Sequence, residues 1–265
     1  MVFFPLINSN LFEGYTTIHN FPPNNWEKTS YPTNKSVWAI FSDGIKWETK
    51  YLGEIKKGES KTIFYDEVIK INQNDFYPLI LIQLRESNLE RKLDYLPSHE
   101  YQYTKTPEWR ATVGLMIGST ETSYQGEINP FPSKASLLTF HPFIQLKKVD
   151  NYFVFINLET YPLIREQEIE IFDAKTKIYI DRIKVKSNYV NIFPLDKYKF
   201  TAEQLPVIIC RKMAGIPFGL GISKDQKMIS FEHTHPPASL TVHGDRFKIQ
   251  NKIKSEWFKI LKNDN

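Results

Sequence analysis

The strongest constraint on the fold of this chain is an internal echo. WRATVGLMIG (109–118) is matched by CRKMAGIPFG (210–219), each holding Arg, then Gly four residues on, then Gly four further on. SYQGEINP (123–130) is matched by SFEHTHPP (230–237), and ASLLTFH (135–141) by ASLTVH (238–243). The segments occur in the same order, which reads as a duplicated unit. A doubled chain must be built so that each copy completes its own strands, and 265 residues suffice for two domains of about 130 residues each.

The residue mix selects strands for those copies. Aromatics make up 14% of the chain, and β-branched and aromatic runs recur between turn signals. Strands are expected at 37–41, 47–52 and 61–65, and at 78–84 a strand that is apolar apart from Gln83 and either covered on both faces or central. Hairpins are expected at 110–117/122–128, at 168–172/179–185 around 173–177, and at 216–222/228–233. No strand–helix–strand rhythm is present. The fold class is therefore all-β: two tandem related β-sandwich units, Ig-like or jelly-roll-like, followed by a C-terminal amphipathic helix. The boundaries read as an irregular lead-in at 1–35 with one strand near 2–7, a first unit at 36–148 carrying an insertion loop at 86–109, a second unit at 149–244, and a helix and tail at 245–265. Phe247, Ile249, Ile253, Trp257, Ile260 and Leu261 recur at helical spacing. The helix is expected to lay that face on a sheet. Its lysines offer a membrane surface as the sharper alternative.

Charge and sulfur exclude several function classes. Acidic and basic residues are interspersed, with a net charge of +4, so no nucleic-acid footprint stands out. No apolar run is long enough for a transmembrane segment. The single cysteine, Cys210, excludes an internal disulfide and a Cys-rich zinc site, and its apolar setting marks a buried hydrophobe. A cytoplasmic protein is expected.

Two constellations could carry function. His233 and His235 stand two apart, so in a strand both side chains share a face about 7 Å apart, within reach of one divalent metal. His243 would supply a third ligand. Alternation turns Glu232 to the opposite face, which makes it a poor base. The second constellation is a binding surface. Arg110 and Arg211 match across the echo, and each offers a planar fork for carboxylate or phosphate. Arg85, after the run 78–84, competes with Arg110 as the partner of Arg211. His141 and His243 match likewise, either tying down a turn or meeting in a shared site. Tyr103 and Trp109 in the insertion loop, with Tyr95 and Tyr101, form an aromatic group suited to sugars or protein partners.

Two functional readings follow. The preferred one is a non-catalytic binding or assembly protein, with a carbohydrate or protein ligand at the cleft between units or at the 86–109 loop. Self-association into a homo-oligomer is compatible with it. The other is a metal-dependent enzyme centred on His233, His235 and His243, with a divalent metal as cofactor.

Overall fold

The computed structural model describes residues 3–21, 34–70, 77–98, 111–141, 148–201, 203–233 and 246–261. Among these residues the chain forms seventeen strands in four antiparallel sheets, with one long helix. The first nine strands are β1 (Phe4–Leu6), β2 (Glu13–His19), β3 (Asn34–Ser42), β4 (Trp47–Lys56), β5 (Ser60–Phe64), β6 (Ile80–Arg85), β7 (Lys92–Leu93), β8 (Ala111–Ile117) and β9 (Thr120–Gly126). They make a five-stranded sheet of order β1-β6-β3-β4-β7 and a four-stranded sheet of order β5-β2-β8-β9. A short helix, α1 (Tyr65–Val68), follows β5.

The remaining strands are β10 (Leu137–Phe140), β11 (Val149–Ile156), β12 (Glu166–Asp173), β13 (Tyr179–Lys186), β14 (Val190–Pro194), β15 (Pro206–Cys210), β16 (Ile216–Ser223) and β17 (Ile229–His233). They form sheets of order β10-β15-β12-β13 and β14-β11-β16-β17. The chain closes with α2 (Arg246–Ile260). No helix among the described residues is long and apolar enough to cross a membrane.

The three expected hairpins are present as β8–β9, β12–β13 and β16–β17. The run 78–84 overlaps β6, which is buried at every position. Ile80, Ile82 and Leu84 enter one apolar cluster with Val37, Ala39 and Ile63, while Leu79 and Leu81 enter another. A strand packed on both faces needs a nearly continuous apolar run, and in 78–84 only Gln83 is polar.

The stretch expected to be an irregular lead-in is different. It holds β1, the strand expected near 2–7, and also an unexpected strand, β2, which pairs with both β5 and β8. The inward face of β2 is Gly14, Thr16 and Ile18, so only one apolar side chain marks it. Thr16 is buried by donating its hydroxyl to the Pro5 carbonyl at 2.7 Å. The strand passes so near residue 7 that a Cβ on Gly14 would lie 1.5 Å from the Ile7 carbonyl oxygen. The insertion loop is likewise not wholly irregular, since β7 within it extends the five-stranded sheet beside β4.

Three apolar clusters organise the strands. One takes side chains from both sheets of β1–β9, including Leu6, Ile18, Ala39 and Ile82. Another takes Phe153, Ile171, Val185 and Ile208 from both sheets of β10–β17, with Cys210 buried among them. The largest is shared, joining Ile40, Trp47, Leu81, Val113 and Leu115 to Val154, Phe218, Leu220 and Phe231. β11 contributes to the last two clusters in alternation, Phe153 and Phe155 to one face and Val154 and Ile156 to the other.

The helix covers the outer face of the sheet containing β12 and β15. Trp257, Phe258 and the fully buried Leu261 pack against Phe172, Val207 and Ile209. Lys254 donates to the Ser136 carbonyl at 3.0 Å and is half-buried, which lowers its pKa.

Gly14→Ala should lower the free energy of unfolding by at least about 3 kcal/mol, because the clash is with backbone. Gly58→Ala, where φ is +82° but the space is open, should cost about 1 kcal/mol. Urea denaturation of both variants checks this, and equal losses would contradict the close approach of β2.

Candidate functional site

His141 directly follows β10. Its backbone N–H donates to the Pro206 carbonyl at 3.1 Å, and its ring stands edge-on to Phe153, centroids 5.1 Å apart. It is 3% exposed and lines a pocket of about 70 Å³ with Asn151, Gly219, Ser230 and Glu232. Desolvation by burial pulls its pKa down to about 4, so the ring is neutral near pH 7 and presents one donor and one acceptor.

His233 does not join that pocket. In β17 it sits opposite Phe218 of β16, and its ring lies 5.4 Å from that of Phe218 and 5.0 Å from that of Tyr124. Ser230 and Glu232 project from the other face, where they meet His141. The two-residue period separates the two histidines, as it separates His233 from Glu232. His235 and His243 lie outside the described residues. Among the described residues no group of three or more His, Cys, Asp or Glu side chains is placed to hold a metal ion.

Arg211 is committed to structure. It follows β15, and its Nε donates to Glu170 at 2.9 Å. Its Nη1 donates to the Phe258 carbonyl at 3.1 Å and its Nη2 to the Leu261 carbonyl. The guanidinium also lies over the Phe258 ring at 5.1 Å. It therefore satisfies carbonyls at the C-terminal end of α2 with a cation, where both hydrogen bonding and the helix dipole favour one. Beside it runs an open groove of about 430 Å³ lined by Glu166, Glu168, Glu170, Lys184 and Lys212. Its charges include pairs such as Arg211–Glu170 and Arg182–Glu168. Arg85, at the end of β6, plays a related part, donating to the Ser98 carbonyl at 2.8 Å, to Gln83 and to Ser87.

Tyr103, Trp109 and Arg110 lie outside the described residues. The described part of the insertion loop contains Tyr95, which stands edge-on to Tyr161, centroids 5.4 Å apart. Both rings are 57% exposed, as is Leu163, and Ile45 is 73% exposed. Three connections are fastened together here. Trp47 Nε1 donates to the Thr160 carbonyl at 3.1 Å, and the Leu96 N–H donates to the same carbonyl. Ser42 donates to the Pro162 carbonyl, and Lys46 pairs with Asp94. Tyr161 and Leu163 were not singled out from sequence. Their signal was an apolar Tyr-Pro-Leu triplet inside a connection, where polar residues are the rule.

Protonating His141 in the folded state is unfavourable, because its pKa there is below the unfolded value of about 6.5. Its contribution to stability is complete above that pH and is lost as pH falls through 4, by up to about 3 kcal/mol. His141→Leu should therefore show a shallower loss of stability than the parent between pH 6.5 and 4 in denaturant titrations, and parallel pH profiles would refute this. Comparison with known proteins found no matching family model, no matching curated protein and no matching solved structure.

Proposed function

We propose that this chain is a non-catalytic binding or assembly protein whose ligand docks where residues 93–96 meet 160–164. The observation that carries this reading is the exposed group of Tyr95, Tyr161, Leu163 and Ile45, gathered by hydrogen bonds from three separate connections. Exposed apolar clusters rimmed by polar groups mark interaction surfaces. The rim here is made of paired charges: Lys46 with Asp94, Lys92 with Asp43 and Glu48, and Arg165 with Glu159. The two tyrosine rings cross at 63°, forming a ridge and notch rather than a flat platform. That shape favours a protein side chain over a stacked sugar ring. Of the two ligand classes, carbohydrate or protein, we take protein.

The architecture we propose for this function is two tandem related β-sandwich units. Strand order supports it. β1-β6-β3-β4 corresponds to β10-β15-β12-β13, and β5-β2-β8-β9 to β14-β11-β16-β17, with β7 as an addition. Registers support it as well. Ile82 pairs with Phe4 and Ala39 as Ile208 pairs with Thr139 and Ile171, which matches Arg85 to Arg211. Val113 pairs with Tyr124 as Leu220 pairs with Phe231, which matches Gly114 to Gly221. On this correspondence the units divide between β9 and β10, so β1 and β2 belong to the first unit, and the segment 135–141 opens the second.

A Tyr95→Ala/Tyr161→Ala variant should lose about 30-fold in affinity for a protein partner recovered with the parent chain, a hot-spot effect of about 2 kcal/mol. Its melting temperature should stay near that of the parent, since both rings are more than half exposed. Unchanged partner capture by the variant would end the reading. Elemental analysis of untagged protein separates it from the metal-enzyme alternative at His233, His235 and His243. The binding reading expects no stoichiometric metal, and a bound transition metal lost in His233→Ala would replace it.

A further inference from the structure

The exposed apolar side chains form a second group, around Trp257. Phe140 is 39% exposed and its ring lies 5.2 Å from that of Trp257. Ile253 and Ile260 precede and follow Trp257 by four and three residues, on the same side of α2, and are 45% and 54% exposed. Leu205 and Ile178, 42% and 63% exposed, are both hydrogen-bonded through their backbones to the turn at Asp173 and Ala174. Lys177 of that turn sits over the Trp257 ring at 4.1 Å. Docking of α2 through Phe258, Leu261 and Arg211 therefore leaves Ile253 and Ile260 exposed, with the Trp257 ring against Lys177 of the turn.

The charge around this group differs from that around Tyr95 and Tyr161. Lys175, Lys252 and Lys259 are exposed, and among the described residues none of them forms an ion pair. The neighbouring exposed carboxylates in sequence are Glu203 and Glu256. Asp173 is buried, accepting from the backbone of Lys175 and Leu205 and from the Thr176 hydroxyl. Lysines thus outnumber available acids. Protein interface cores are depleted of lysine, whereas aliphatic and Trp side chains ringed by lysine suit the headgroup region of an anionic bilayer.

We propose that this face docks on an anionic lipid surface, with Ile178, Leu205, Ile253 and Ile260 entering the headgroup boundary and the lysines meeting lipid phosphates and carboxylates. The proposal is independent of the tyrosine surface and leaves the fold unchanged.

The test is co-sedimentation of the full chain with phosphatidylcholine vesicles, with or without about 30% phosphatidylserine. Binding should require phosphatidylserine and weaken as salt rises from about 0.1 to 0.5 M. Ile178→Ser/Ile260→Ser should weaken binding at least about 10-fold, since two partly exposed isoleucines lose their burial. Lys252→Glu/Lys259→Glu should abolish the phosphatidylserine dependence. Melting temperatures equal to that of the parent confirm that both variants are folded. No binding to anionic vesicles, equal binding to both vesicle types, or parent-like binding by the isoleucine variant would each overturn the proposal. So would a parent dimer, seen by analytical ultracentrifugation, that the isoleucine variant breaks in the absence of vesicle binding, which assigns the face to a second copy of the chain.

Discussion

Phe218 and Phe231 stack with centroids 4.5 Å apart, and Tyr124 stands at a steep angle to both. This contact lies in the apolar cluster that unites β1–β9 with β10–β17, and the remaining architecture depends on that union. Tyr124 is partly buried, and its buried hydroxyl has no hydrogen-bond partner among the described residues, a cost that ring packing must outweigh. The same cluster takes in Trp47, Leu96 and Leu158. Those residues flank the connections that present Tyr95 and Tyr161. A surface built from three loops keeps its shape here because the residues beneath it are core residues, not further loop.

The charged and titratable groups are mostly spent on holding pieces together. Arg211 ties the end of α2 to β12, and Arg85 ties the insertion segment to β6. His141, stripped of water, stays neutral and packs on Phe153. Each gives up solvent for a fixed partner or a packed ring, and each thereby shapes a surface at a distance. By fixing α2, Arg211 decides which helix side chains are covered and which face outward. Side chains that hold the fold together thus also set the shape of the surface.

Sequence patterns revealed elements whose forces are local. Hairpins were legible because a two-residue period on either side of a turn needs no knowledge of distant neighbours. The amphipathic spacing of α2 and the apolar run of β6 were legible for the same reason. β2 was not, because it is buried through Gly14 and the satisfied hydroxyl of Thr16 rather than through apolar side chains. Residues 137–140 lie in the range expected for the first unit, yet β10 pairs with β15 rather than with any strand before it. Arg211 was recognised as a residue of interest, but its role depended on the end of α2 returning from 47 to 50 residues downstream. Tyr161 and Leu163 escaped notice because their neighbours, Ile45 and Tyr95, are remote in sequence.

The sequence by itself determined that this chain is all-β with a C-terminal helix, and which residues of its hairpins share a face. Alternation, turn chemistry and helical spacing act over a few residues and are written in the chain directly. Only the tertiary structure decided the order of strands in each sheet, the separation of His141 from His233, and the meeting of three connections at Tyr95 and Tyr161. Those outcomes come from competition among many apolar surfaces for the same buried space. A strand's own pattern says which side it must hide, but not what will cover it.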